Sequence, residues 1–193
     1  MPRVATDTKN RIMQVARSLF STHGCESTTL DDILMASGVT KGAFYHYFKS
    51  KESLCESVLD EVVEDYQRLA ESIDDDLEPI EQLRGLLRKI VELNASGEWV
   101  NCKLILRFST SSFESHPNVQ RRIKNFWQWQ SSLYEELIEK CRQAGQINTD
   151  VDAKMQTHLL ISSLAGTVML EKAAPDQASL GELCDTIIKL LQS

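Results

Sequence analysis

The chain has 193 residues, 42% of them hydrophobic and 25% charged, with a formal net charge of −7. That length supports one medium domain or two small ones around a buried core, and no apolar run approaches the roughly 18 residues that a membrane span requires. Only 8 Gly and 4 Pro occur, among many Leu, Glu, Lys and Gln, which points to an all-α protein.

The first residues, MPRVATDTKNR, lack the apolar stretch of a signal peptide, so a cytoplasmic protein without a membrane partner is expected. The cysteines (Cys25, Cys55, Cys102, Cys141, Cys184) are odd in number, widely spaced and without a CxxC pair. The histidines (His23, His46, His116, His158) show no ligand spacing. No disulfide framework, metal site or cofactor is expected from these patterns. The charge is uneven. Residues 1 to 55 carry seven basic and five acidic side chains, a net of +2, and the remainder 14 and 23, a net of −9. A mildly basic head on an acidic body suggests two tasks.

Taken in chain order, residues 8 to 23 place Ile12, Val15, Ala16, Leu19 and Phe20 on one helical face, with Gly24 to end the helix. A second helix starts at Thr28 or Thr29. Thr29 and Asp32 stand at capping-box spacing, Leu30, Ile33 and Leu34 turn inward, and Ala36 is small where a crossing helix has to come close. Gly38 suits a left-handed turn with Val39 packed beneath it, and Thr40 caps a third helix from Lys41 to Tyr47. Two helices joined by so short a Gly-containing turn make a helix-turn-helix. Ser50 caps a fourth helix to about Ile73, with Leu54, Val58, Leu59, Val62, Tyr66 and Leu69 as its stripe. Further helices are predicted at about 80 to 96, 101 to 114, 118 to 144, 152 to 173 and 177 to 192.

The third helix carries the functional signal. Phe44 and Phe48 are four residues apart and point inward together. Lys41, Gly42, Tyr45 and His46 then face outward. A helix that reads the major groove needs an anchored inner face, an outer face reaching bases, and donors for phosphates. Lys41 and Tyr45 reach base edges or phosphates, Gly42 admits close backbone approach, and Ala43 fits a thymine methyl. Thr40, Tyr47 and Lys51 are placed for phosphates, beside the N-terminus of the fourth helix. The competing explanation is plain packing, with the tyrosines as core edges and Lys49 and Lys51 as a solvated rim.

The stretch TTLDDILMASGVTKGAFYHYFKSKESL, preceded by Leu19-Phe20 and Gly24, resembles the TetR (AcrR-like) family of bacterial transcriptional regulators over about residues 8 to 58. The resemblance places Thr29, Thr40, Lys41, Tyr45, Tyr47 and Lys51 where members contact DNA; many members have His where Tyr47 stands. It implies an N-terminal three-helix DNA-binding domain (1–50) joined to a larger helical effector-binding and dimerisation domain (51–193). It also implies a homodimer on a palindromic duplex operator, with the last two helices of each chain at the interface. Leu160, Ser163, Leu164, Thr167, Leu180, Leu183, Ile187 and Leu191 are the interface candidates, though each stripe could equally face its own core.

Members usually bind an inducer among the middle helices. Trp99, Phe108, Phe113, Phe126, Trp127, Trp129 and His158 are the aromatic candidates there, with core packing as the competing explanation. Cys102 opens the sixth helix, where the dipole favours a thiolate, with Lys103 adjoining and Lys172 at the end of the eighth helix. Together with HPNVQRRI (116–123), these residues resemble a subgroup that responds to electrophiles or oxidants through a cysteine. The alternative for Cys102 is a small buried hydrophobe, and Cys25, Cys55, Cys141 and Cys184 are read as packing residues. The expected function is a regulator, a repressor released by a small molecule or by cysteine modification. The rivals are an all-helical enzyme, for which no P-loop, nucleophile elbow or acid–base pair is found, and an interaction module without DNA binding.

Overall fold

A computed structural model describes residues 3–97, 99–111, 116–174 and 179–193, without the side chains of residues 3–6 and 172. Among the described residues the chain forms nine helices and no strand. They are α1 (Arg3–His23), α2 (Leu30–Ser37), α3 (Lys41–Tyr47), α4 (Lys51–Glu71), α5 (Pro79–Ser96), α6 (Asn101–Thr110), α7 (Pro117–Gln143), α8 (Ala153–Ala173) and α9 (Leu180–Gln192). α1 begins earlier than its apolar stripe, because VATDT contains no Gly or Pro to stop it. Of the expected candidates, Phe113 and the Lys172 side chain lie outside the described residues.

The chain divides into two compact units, Met1–Asp65 with Lys103–Lys124, and Tyr66–Cys102 with Asn125–Ser193. The packing division therefore falls inside α4, not at its start. Residues 51–65 of α4 belong to the first unit, and the helix itself runs unbroken from Lys51 to Glu71.

In the first unit the α1 stripe is buried at Ile12, Ala16 and Phe20, and α1 packs on α2. Ser37, rather than Ala36, is the small residue turned inward. Its hydroxyl donates to the Leu34 carbonyl at 3.3 Å, which satisfies it within its own helix. Ala36 is exposed. Phe108 of α6 meets Phe20 edge-on, with ring centroids 6.2 Å apart. Two arginines hold α4. Arg17 of α1 reaches Glu61 at 3.1 Å and Asp65 at 2.7 Å. Arg122 of α7 reaches Glu56 at 3.2 Å and Asp60 at 2.7 Å, and the Asp60 hydrogen bond raises the guanidinium pKa further.

In the second unit α9 packs against α8 and α5. Its stripe of Leu180, Cys184, Ile187, Ile188 and Leu191 is buried, as are Leu83, Leu86, Leu87 and Ile90 of α5. Glu171 joins the three helices: one oxygen accepts the Leu180 N–H at 2.7 Å, the other the Asn94 amide at 3.4 Å. The interface candidates divide by exposure: Leu160, Thr167, Leu180, Ile187 and Leu191 are buried within the protomer. Ser163, Leu164 and Leu183 are half-buried. The apolar side chains that α8 leaves in solvent are Met155, Leu159, Met169 and Leu170, and α9 adds Leu190.

Candidate nucleic-acid interface

The reading helix is set by local chemistry at each end of α2 and α3. At Thr29 the hydroxyl accepts the Asp32 N–H at 3.1 Å, and the Asp32 carboxylate accepts the Thr29 N–H at 2.8 Å. This capping box satisfies two donors that the first turn leaves over. The hydrogen bonds from the Thr29 side chain and backbone hold the Asp32 pKa below the usual carboxylate value. α2 ends at Gly38, at φ +62°, where only glycine sits without strain. Val39 is buried beneath that turn. Thr40 then caps α3, its hydroxyl oxygen accepting the Ala43 N–H at 3.3 Å.

α3 is sided as its sequence requires. Phe44 is 0% exposed and Phe48 3% exposed, with ring centroids 5.6 Å apart. Burying each ring contributes roughly 1.5–3 kcal/mol, which fixes the rotation of so short a helix. Lys41, Gly42, Tyr45 and His46 are exposed, and Ala43 and Tyr47 are half-buried. A Cβ at Gly42 would meet nothing within the protein, so internal packing does not require glycine there. Its helix-propensity cost of about 1 kcal/mol is left without an internal reason.

The phosphate candidates divide by what their donors already do. The Thr40 hydroxyl is used as an acceptor, and its O–H can still donate outward. The Thr29 O–H is directed to Asp32 at 2.7 Å, which leaves its cap role in place of a side-chain donor for phosphate. Lys51 stands in the first turn of α4, after a reciprocal Ser50–Ser53 cap with both bonds at 3.1 Å. Its ammonium was expected to be free for phosphate. It instead donates to the carbonyls of Cys25 at 2.7 Å, Thr28 at 2.8 Å and Glu26 at 3.3 Å. Three donors meet three acceptors, and Lys51 becomes the clamp on the α1–α2 connector. Partial burial pulls its pKa down, and the Glu26 charge opposes this.

One further relationship was not legible in the sequence. Cys25, the residue after Gly24, is joined to Cys55 of α4 by a disulfide across a sequence separation of 30. The spacing rules that find CxxC pairs do not register two cysteines brought together only by the fold.

In the second unit Tyr66 is the centre of the effector candidates. Its ring lies 5.0 Å from Trp99 and 5.2 Å from Phe126, and its hydroxyl lies 3.2 Å from Cys102 Sγ. Trp127 and Trp129 each pack on Phe126. Burial first, and then Cys102, push the Tyr66 pKa well up. His158 does not share this environment; it is exposed on α8. Cys102 is buried in the first turn of α6. Burial pushes the Cys141 thiol up to about 11 and the Cys184 thiol up to about 12, the protonated, unreactive state of packing residues.

Comparison with known proteins agrees with this geometry. Residues 12–58 match the model of bacterial regulatory proteins of the tetR family. The chain is 26% identical over 180 residues to the HTH-type transcriptional regulator UidR of Escherichia coli K12, covering 92% of this chain and 88% of that protein. It is also 26% identical to the HTH-type transcriptional repressor DhaR of a Mycobacterium species, over 96% and 93% of the two chains. The reduced form of Escherichia coli NemR superposes with a TM-score of 0.78 at 18% identity, over 95% of this chain and 97% of that one, a likeness of fold. Residues 12–58 thus carry the tetR-family helix-turn-helix, and along nearly its whole length the chain is similar to helix-turn-helix transcriptional regulators of that family.

Proposed function

We propose that the protein is a homodimeric repressor that reads a palindromic duplex operator through α3 and is released by an effector reaching the second unit. The observation that carries the DNA reading is the sidedness of α3: Phe44 and Phe48 are buried while Lys41 and Tyr45 stand in solvent. Gly42, unexplained by internal packing, leaves room for backbone to approach the groove. Thr40 and Tyr47 supply hydroxyl donors for phosphate, and His46 lies beside them. A single α3 has seven residues and covers few base pairs, so two copies about one helical turn apart are needed for selectivity.

The stripe Met155, Leu159 and Met169 recurs at helical spacing on the open face of α8, together with Ser162 and Gly166. A Cβ at Gly166 would meet nothing in the protomer, so a second copy has room to come close there. This stripe, with Leu190, is the proposed dimer contact. The aromatic group of Tyr66, Trp99, Phe126 and Trp127 around Cys102 is the proposed effector site, for a small apolar molecule or an electrophile. An effector acts only by binding the released state better than the DNA-bound one.

The test is binding to duplexes selected from a random pool. Affinity has to favour two-fold symmetric sequences, fall with rising salt, and fall again in Lys41→Ala. Binding indifferent to salt and sequence would overturn the proposal. Release of DNA by an electrophile that persists unchanged in Cys102→Ser would remove Cys102 from it.

A further inference from the structure

We propose that Cys25 and Cys55 form a reversible thiol–disulfide couple inside the reading unit, and that closing it slows dissociation of the protein from DNA. This rests on the DNA-reading function proposed above and adds a redox input separate from Cys102.

The two cysteines join the α1–α2 connector to α4. Cys25 follows Gly24, whose N–H closes α1 on the Phe20 carbonyl at 2.9 Å and whose φ of +86° turns the chain out of the helix. The connector from Gly24 to Thr29 carries the chain to the first cap of α2, and Thr28 braces it by donating to the Gly24 carbonyl at 2.7 Å. Cys55 lies one turn after Lys51 on the same face of α4. The Lys51 ammonium and the Cys25–Cys55 bond therefore fasten the same connector to the same helix, one by hydrogen bonds and one covalently. The Cα–Cα distance of 6.6 Å lies within the range that a disulfide spans, so the bond can close on the folded backbone. With the bond open, the connector is held on α4 only by Lys51 and packing. With it closed, α2 and α3 cannot drift from α4. A pre-organised reading surface loses less entropy on docking, and its gain appears mainly in the off-rate.

A protein that reads DNA works where thiols are kept reduced. Disulfides found there are generally transient and redox-sensing. The proposed oxidant is a hydroperoxide. Of the two buried cysteines Cys25 is the more exposed, 6% against 1%, and is assigned here as the one the peroxide reaches first. The Cys25 thiolate attacks the peroxide; an S–O bond forms, the O–O bond breaks, and the leaving hydroxide takes a proton to become water. The Cys55 thiolate then attacks the Cys25 sulfur; the S–S bond forms and the hydroxyl leaves as a second water. Both thiols lose their protons and together supply two electrons, and a dithiol returns both. The couple thus needs no group beyond the peroxide and the reductant.

The experiment treats the full-length protein with hydrogen peroxide or with a phosphine reductant. Intact mass and peptide mapping are read first. DNA dissociation is then read on a duplex selected from a random pool by the oxidised protein. Peroxide is expected to remove two hydrogens and link the Cys25 and Cys55 peptides, with reversal by reductant on the folded protein. Dissociation is expected to be at least about threefold slower for the oxidised form. That difference should vanish in Cys25→Ser and Cys55→Ser, with the alanine variants as substitutes wherever circular dichroism finds a serine variant unfolded. A link between other cysteines, a bond that reductant leaves intact until the protein unfolds, equal off-rates, or a difference that survives Cys25→Ser each overturn the proposal. If neither form binds any duplex, the DNA-reading function fails as well, and the mass data separately decide whether the couple exists.

Discussion

Lys51 Nζ lies 2.7 Å from the carbonyl oxygen of Cys25, so the lysine at the start of α4 holds the end of α1. Its other hydrogen bonds, to Glu26 and Thr28, complete the clamp. Removing the ammonium leaves three carbonyls to water in a partly exposed site. Lys51→Met is expected to destabilise the protein by about 1 kcal/mol, a figure already discounted for that exposure. It is also expected to weaken DNA binding by loosening the connector, with little change in the salt slope. Urea unfolding and a salt titration of affinity check this; a Lys51→Met protein of native stability whose salt slope drops by about one would restore Lys51 as a direct phosphate ligand.

The two faces of α3 are expected to separate under mutation. Lys41→Ala and Tyr45→Ala alter exposed side chains and should leave stability within about 0.5 kcal/mol. Both should lose DNA affinity, and Lys41→Ala should also lower the salt slope by about one. Phe44→Ala empties a fully buried position and should cost about 3–5 kcal/mol. Equal loss of stability at Lys41 and Phe44 would contradict the sidedness on which the reading function rests.

How legible each feature was follows from the kind of pattern that encodes it. α2 and α3 were legible because their stops, Thr29, Gly38 and Thr40, act on backbone only a few residues away. The stripe of α9 was legible as a stripe because Glu182, Asp185 and Lys189 mark its opposite side. α8 offers no such contrast. From Leu159 to Leu170 it has no charged residue, so the sets beginning at Leu159 and Leu160 are equally apolar, and only tertiary packing decides which turns inward. The Lys51 clamp and the Cys25–Cys55 bond join residues 26 and 30 positions apart, beyond the reach of any local periodicity.

The Thr29–Asp32 cap makes a pH prediction with a definite sign. The Asp32 pKa is lowered by hydrogen bonds that exist only in the folded state. Its stabilisation is therefore complete above the unfolded aspartate value of about 3.9, and is lost as pH falls through the lower folded value. Asp32→Asn should be less stable than the parent near neutral pH, with the gap closing below about pH 4. Thermal unfolding of both proteins across that range measures the gap directly, since the other carboxylates titrate in both. A gap that stays constant to the most acidic point would show that the cap does not depend on the Asp32 charge.

The exposed stripe of α8 and the buried one beside it give the sharpest test of assembly, because adjacent leucines have opposite expected effects. Leu159 is 57% exposed and Leu160 0%. Leu159→Glu should leave the protomer folded and within about 0.5 kcal/mol of parent stability at concentrations where both are monomeric. In a dimer the two new carboxylates would be forced out of water near the symmetry axis, a cost that sends the chain to monomer. The mass in solution should then fall from twice 21.9 kDa to 21.9 kDa, measured by light scattering after size exclusion. Leu160→Ala should instead cost the protomer about 2–5 kcal/mol through the cavity it leaves. Because reading a palindrome needs both copies, Leu159→Glu should also lose selectivity for symmetric duplexes while its α3 remains intact. A Leu159→Glu protein that stays dimeric would move the interface off this face of α8. A wild-type protein that is monomeric at every concentration would remove the paired reading heads altogether.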